Sequence, residues 1–250
     1  MPALMRNVLI LGGTADAFSL ANALNESRTC RVILSLAGRT KAPRTGQFET
    51  RIGGFGGIAG LCSFIASAPI HMVIDATHPF AVRISQNSAA ACIHSKIPHL
   101  VFLRPPWTEI ATDQWHHVPS ETAAADALPQ KARAFLTLGS QYLAPFSKKT
   151  DAWFLLRMID LPRCTSLICP HLVITGRGPF TLENEMALME QHSITHLVTR
   201  NAGGQATFAK LQAARKLRCS VIMIDRPTPF PTPTVSTLAD ALQWVIAECP

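Results

Sequence analysis

A chain of 250 residues with 48% hydrophobic and only 16% charged residues is too apolar to stay disordered, and it is long enough for one large α/β domain or two smaller ones. Its 23 Lys and Arg against 16 Asp and Glu leave +7, which favours an anionic ligand, yet no dense basic run with interleaved aromatics points to nucleic acid. Ser63, Ser67, Pro69 and His71 interrupt the longest apolar stretch, so no membrane span is expected; residues 1–11 run into Gly-Gly-Thr without a cleavage site, which reads as a first strand and makes the cytoplasm the default location.

In chain order, Val8-Leu9-Ile10-Leu11 reads as a buried strand, Gly12-Gly13-Thr14 as a turn, and Ala17, Leu20, Ala21 and Leu24 as the apolar face of a helix. Such a turn aims first-turn N–H groups and the positive end of a helix dipole at one spot, which suits a nucleotide phosphate. It lacks the full G-x-G-x-x-G, and a glycine pair there also serves merely to reverse the chain, so both readings stand. Residues 31–36 form a second strand and run into Ala37-Gly38-Arg39-Thr40-Lys41. Dinucleotide folds meet the adenosine ribose at this point, with an acid for NAD and an arginine for the 2′-phosphate of NADP. Arg39 and Thr40 therefore favour NADP, the alternative being a solvated basic loop.

Arg51-Ile52-Gly53-Gly54-Phe55-Gly56-Gly57 precedes a helix with Ile58, Leu61, Cys62 and Ile65 on one face. Gly54 and Gly56 let backbone approach a flat ligand and Phe55 can pack on it, unless the stretch is only a connection. Strand 72–74 delivers Asp75-Ala76-Thr77-His78-Pro79-Phe80 at its carboxyl end, where open α/β sheets bind ligands. His78 is there either a proton or hydrogen-bond donor or a helix-entry residue bonded to backbone. A small-residue helix over 81–93 and a strand over 99–103 lead to a loop in which Trp107 and Trp115 read as packing anchors. A short helix follows, and Pro129 marks a seam.

Beyond the seam, strand 134–138 closes with Gly139-Ser140, and strands 153–157 and 172–175 precede Gly176-Arg177-Gly178-Pro179-Phe180 and a helix capped by Thr181. Strand 196–199 opens into Arg200-Asn201-Ala202-Gly203-Gly204-Gln205, a second glycine turn with a cation beside it, ahead of a helix carrying Lys210 and Leu211. Strand 221–224, a proline-rich loop and a terminal helix with Leu238, Ala241, Leu242 and Val245 complete the chain. This alternation predicts an α/β fold of two Rossmann-like parallel-sheet domains, 1–129 and 130–250, facing a central cleft. The seven cysteines lack a C-x-x-C and read as reduced thiols; Cys164, Cys169 and His171 match no zinc spacing, so no metal is expected.

Over nearly its full length the chain resembles the precorrin-6A reductase family of cobalamin biosynthesis. The resemblance is carried, in order, by Gly12-Gly13-Thr14-Ala15-Asp16-Ala17, Ser35-Leu36-Ala37-Gly38-Arg39-Thr40, Gly53-Gly54-Phe55-Gly56-Gly57, Asp75-Ala76-Thr77-His78-Pro79-Phe80-Ala81, Gly178-Pro179-Phe180 and Asn201-Ala202-Gly203-Gly204. The sequence departs from the family where Asp16, Ala17 and Phe18 replace the usual Glu-Ala-Arg, and where Arg200 and Ala202 replace Lys and Ser.

The resemblance implies a two-domain reductase that uses NADPH to saturate one double bond of precorrin-6A, giving precorrin-6B. It implies Gly12, Gly13 and Thr14 at the pyrophosphate, Arg39 and Thr40 at the 2′-phosphate, and Gly54, Phe55, Gly56, Asp75, Ala76, Thr77, Pro79 and Phe80 around the nicotinamide half. His78 or water would supply the proton. Arg177, Gly178, Arg200, Asn201, Gly203, Gly204 and Lys210 would meet the anionic tetrapyrrole. A short-chain dehydrogenase acting on another substrate would need Tyr-x-x-x-Lys, but the single tyrosine, Tyr142, is followed four residues on by Phe146. A non-catalytic NADP sensor would have no need of Arg177 and Arg200.

Overall fold

The computed structural model describes residues 5–38, 44–161, 169–228 and 231–249. Strands β1 (Arg6–Leu11), β2 (Cys30–Leu36), β3 (Glu49–Ile52), β4 (Ile70–Asp75) and β5 (His99–Phe102) come first, with helices α1 (Ala15–Ser27), α2 (Ile58–Ser67) and α3 (Val82–Ser95) among them. There follow β6 (Trp115–Val118), α4 (Glu121–Ala127), β7 (Arg133–Leu136), β8 (Trp153–Met158), β9 (His171–Thr175), α5 (Leu182–Gln191), β10 (His196–Arg200), α6 (Ala209–Lys216) and β11 (Ser220–Ile224). The chain closes with β12 (Thr234–Val235) and α7 (Leu238–Glu248).

The strands build two six-stranded sheets, ordered β3-β2-β1-β4-β5-β12 and β9-β8-β7-β10-β11-β6. All pairings among the described residues are parallel. Parallel neighbours need crossover helices, and those helices cover both faces of a sheet. In the first sheet Val8 and Ile10 of β1 pack against α1 and α7, while Leu9 and Leu11 pack against α2 and α3. In the second, Phe135, Leu155, Leu197 and Val221 share one core with Met189 of α5 and Leu211 of α6. Each large aliphatic side chain so buried contributes about 1.5–3 kcal/mol. A two-faced core is therefore why these strands read as unbroken apolar runs.

The chain forms two compact units, 1–105 with 227–250, and 106–226. The seam expected at Pro129 does not coincide with the sheets. β6 lies before Pro129 yet pairs with β11 of the second sheet, and β12 lies far beyond it yet pairs with β5 of the first. Helix α7 likewise contributes Ala241 and Val245 to the first unit's core. The physical reason is that strands of four and two residues have no stability of their own and form only against an edge that already exists. Local sequence carries no mark of which edge that is.

Candidate functional site

Strand order reverses between β1 and β4 in the first sheet, so the carboxyl ends of these two strands frame the crevice where such sheets bind ligands. Gly12 leaves β1 with its N–H donated to the Ser35 carbonyl (2.9 Å), and a Cβ on it would come within 2.7 Å of Leu34 Cδ1. Gly13 has φ +114°, a backbone state open to glycine, and nothing among the described residues lies within 4 Å of where its Cβ would stand. Thr14 is the N-cap of α1: its hydroxyl accepts from Ala17 N–H (3.1 Å) and donates to the Ala76 carbonyl (2.8 Å). Its side chain thus joins the β1 turn to the β4 exit while capping α1.

Sequence reasoning missed a cation here. Arg104, two residues past β5, pairs with Asp16 in the first turn of α1 (2.6 Å), although 88 residues separate them. Phe18, where the family usually has arginine, instead packs edge-on against Phe48 at 5.7 Å. The only signal for Arg104 was a basic residue placed just past a strand's carboxyl end.

At the β4 exit Asp75 is buried, and its Oδ1 accepts from both the backbone N–H (3.0 Å) and the hydroxyl (2.6 Å) of Thr77. Asp75 Oδ2 is buried with no hydrogen-bond partner among the described residues, an orphaned acceptor at the edge of the crevice. Ala76 N–H donates to the Leu11 carbonyl (3.0 Å), locking this loop to β1. His78 accepts from Phe80 N–H at Nδ1 (3.3 Å), so the neutral ring carries its proton on Nε2. Pro79 and Phe80 are half-buried beside it, with the His78 and Phe80 rings 5.7 Å apart.

The glycine loop at 53–57 leaves β3. Gly54 and Gly56 are exposed and Phe55 is half-buried against Phe64. Arg39 and Thr40, expected at a 2′-phosphate, lie outside the described residues.

In the second unit the predicted cations part company. Arg177 is exposed after β9. Arg200 donates from Nε to Glu121 Oε1 (2.8 Å), also through Nη2, and its guanidinium lies 3.4 Å from the Tyr142 ring centroid. Lys210 is only 6% exposed, with Nζ 5.0 Å from the Trp107 ring centroid. Asn201 is equally buried: its Oδ1 accepts from Trp107 N–H (2.8 Å) and its Nδ2 donates to the Trp107 carbonyl (3.1 Å). Trp107 Nε1 donates to Gly204 O (2.8 Å), and Arg226 grips the Asn201 and Ala202 carbonyls. Gly203 and Gly204 have φ of 69° and 78° within this braced turn. Trp107 is thus the packing anchor the sequence suggested, and Asn201 is tied to it.

The family model described as "Precorrin-6x reductase CbiJ/CobK" matches residues 7–246. Among known proteins, the chain is 43% identical to the precorrin-6A reductase of Rhodobacter capsulatus over 242 residues, 96% of each chain. It is also 43% identical to that of Rhodococcus erythropolis over 245 residues, 96% of this chain and 98% of the other. A solved structure, "CobK precorrin-6A reductase", superposes with a TM-score of 0.92 at 42% identity, covering 98% of this chain and 97% of that one.

Proposed function

The chain belongs to the precorrin-6x reductase family, and from that premise we propose that it reduces one double bond of precorrin-6A to give precorrin-6B, with NADPH as reductant, in the cytoplasm. When bound, NADPH supplies the hydride, which goes to one carbon of the macrocycle while a proton goes to its neighbour. The observation that carries the reading is the β1/β4 switch point. There Gly13, the start of α1, capped by Thr14 at the Ala17 N–H, and the orphaned Asp75 Oδ2 meet within one loop system.

The chain's own residues divide the work. Gly13 keeps a side chain away from the pyrophosphate, Gly12 lets the turn pack against Leu34, and first-turn N–H groups of α1 receive the pyrophosphate. Arg104 balances Asp16, whose carboxylate would otherwise repel the phosphates. On sequence grounds, Arg39 and Thr40 take the 2′-phosphate. Asp75, Ala76, Thr77, Pro79 and Phe80 shape the floor beside the nicotinamide. His78, as the imidazolium, is the chain's candidate donor to the macrocycle. In the second unit Arg177 receives a substrate carboxylate, while Asn201 and Lys210 support the 201–204 turn through Trp107, and Glu121 holds Arg200 at the start of that turn.

Anaerobic incubation of the purified protein with NADPH and precorrin-6A tests this. Loss of NADPH absorbance together with a shift of the macrocycle spectrum is expected, and NADH should compete poorly. Binding of NADPH with neither spectrum changing would sink the reductase reading and leave a cofactor sensor.

A further inference from the structure

Strand order moves the 53–57 loop away from the nicotinamide half. The loop leaves β3, the outermost strand on the β2 side of β1. A dinucleotide straddling the β1/β4 switch point lays its adenosine half over β1, β2 and β3, and its nicotinamide half over β4 and β5. Local contacts agree. Gly53 N–H donates to the Leu36 carbonyl at the end of β2 (2.8 Å), and a Cβ on Gly38 would stand 3.1 Å from Ile52. The glycine loop is therefore tied to the exit of β2, which is the ribose end of the crevice.

Arg51, the penultimate residue of β3, gives that loop its shape. Its Nη1 donates to the Gly53 carbonyl and its Nη2 to the Gly54 carbonyl (2.8 Å), while its guanidinium lies 3.9 Å from the Phe55 ring centroid. Phe55 in turn meets Phe64 of α2 edge-on at 5.3 Å. A Cβ on Gly60 would fall 1.7 Å from the Phe55 carbonyl oxygen, so loop and helix approach as closely as backbone allows.

Gly54 is the informative position. Its φ lies outside the left-handed region and nothing among the described residues stands within 4 Å of an ideal Cβ, so neither its backbone nor its described neighbours require glycine there. Ile52 and Ile58, which precede and follow the loop in the chain, are both exposed (58% and 44%). Open backbone in a loop with exposed aliphatic residues at its two ends suits the face of a flat, weakly polar ring.

We propose that Arg51 is a positioning residue that holds the 53–57 loop open as a platform for the adenine end of NADPH. This rests on the NADPH-dependent reading above and replaces the nicotinamide placement of Gly54, Phe55 and Gly56. Lysine cannot stand in for it, because a single ammonium cannot serve two carbonyls in a plane and stack on Phe55 at once.

The test uses Arg51→Leu, Arg51→Lys and Gly54→Ala in the full chain. Three quantities are measured: KM for NADPH, kcat at saturating NADPH and precorrin-6A, and the Kd of adenosine 2′,5′-bisphosphate, a probe with the adenine end and no nicotinamide. Arg51→Leu should raise both KM and the probe's Kd by roughly tenfold with kcat within about twofold, and Arg51→Lys should recover only part of the loss. Gly54→Ala should melt with the wild type, since its Cβ meets nothing, yet raise the same two constants. A fall in kcat with unchanged probe affinity would place the loop at the nicotinamide and overturn the proposal, as would no change in either constant. Failure of the wild type to bind NADPH or the probe would instead overturn the cofactor reading on which the proposal stands.

Discussion

Arg51 in the first unit and Arg157 in the second each lie 3.9 Å from a phenylalanine ring in a glycine-containing loop, Phe55 and Phe180 respectively. What differs is where their hydrogen bonds go. Arg157, on β8, donates to both carboxylate oxygens of Glu185 in the first turn of α5, and the two side chains are 9% and 1% exposed. Arg51 donates to backbone carbonyls of the loop itself. The glycines divide the same way. In the second unit a Cβ on Gly178 would stand 2.8 Å from the Ala206 carbonyl, and one on Gly176 3.3 Å from Phe180, whereas at Gly54 it would meet nothing among the described residues. In the second unit the glycines make room for neighbouring atoms, whereas in the first Gly53, Gly56 and Gly57 have φ of 122°, 80° and 94°, and Gly54 is required by neither its backbone nor its described neighbours. Similar local sequence therefore serves a closed brace in one unit and an open platform in the other.

Glu185→Ala tests the closed side with the largest expected effect. It strands the Arg157 charge in a buried site and should cost about 3–5 kcal/mol in urea unfolding. A loss under about 1 kcal/mol would mean that the pair is not the brace its burial indicates. Asn201→Ala should cost about 2–3 kcal/mol by leaving the buried Trp107 N–H and carbonyl unmatched, with the effect in the melt. If the folded variant instead loses precorrin-6A affinity at unaltered stability, the side chain is a substrate contact. Thr14→Ala removes a cap and its tie to Ala76, which should cost about 1 kcal/mol and raise KM for NADPH severalfold. An unchanged KM would separate the cap from cofactor binding.

The smallest effect is a pH dependence. Burial pushes the His99 imidazole below its ordinary value of 6.5, Asp75 opposing in part, and burial alone does the same to His196. A histidine whose folded value is lowered binds its proton more readily unfolded, so stability is full above about pH 6.5 and falls as the pH drops below it. The Tm should decline from pH 7 to pH 5, and more shallowly in His99→Gln. Equal slopes in the two proteins would remove His99 from the account.

The central strands were legible because a strand buried on both faces must be apolar throughout. β1, β4, β10 and β11 announce themselves in this way. β3, β6 and β12 did not, since each is an edge strand with mixed or exposed residues that depends on a neighbour for its existence. The turns and side-chain pairings around the β1 exit followed the same logic. Gly12, Gly13 and Thr14 could be read from local order, because a strand, a glycine turn and a capped helix are adjacent in sequence. Arg104 could not, because its partner Asp16 is remote in the chain, and the commitments of Arg200 to Glu121 and of Asn201 to Trp107 were equally hidden.

By itself the sequence determined the fold class, the family and the nature of the first turn, all of which depend on patterns within some tens of residues. Tertiary structure alone decided which sheet receives β6 and β12, which arginines brace and which hold a surface open, and that the 53–57 loop lies on the β2 side of the crevice. Those outcomes are set by which strands become neighbours. Parallel pairing through crossovers lets strands far apart in sequence lie side by side, so no local pattern can encode it.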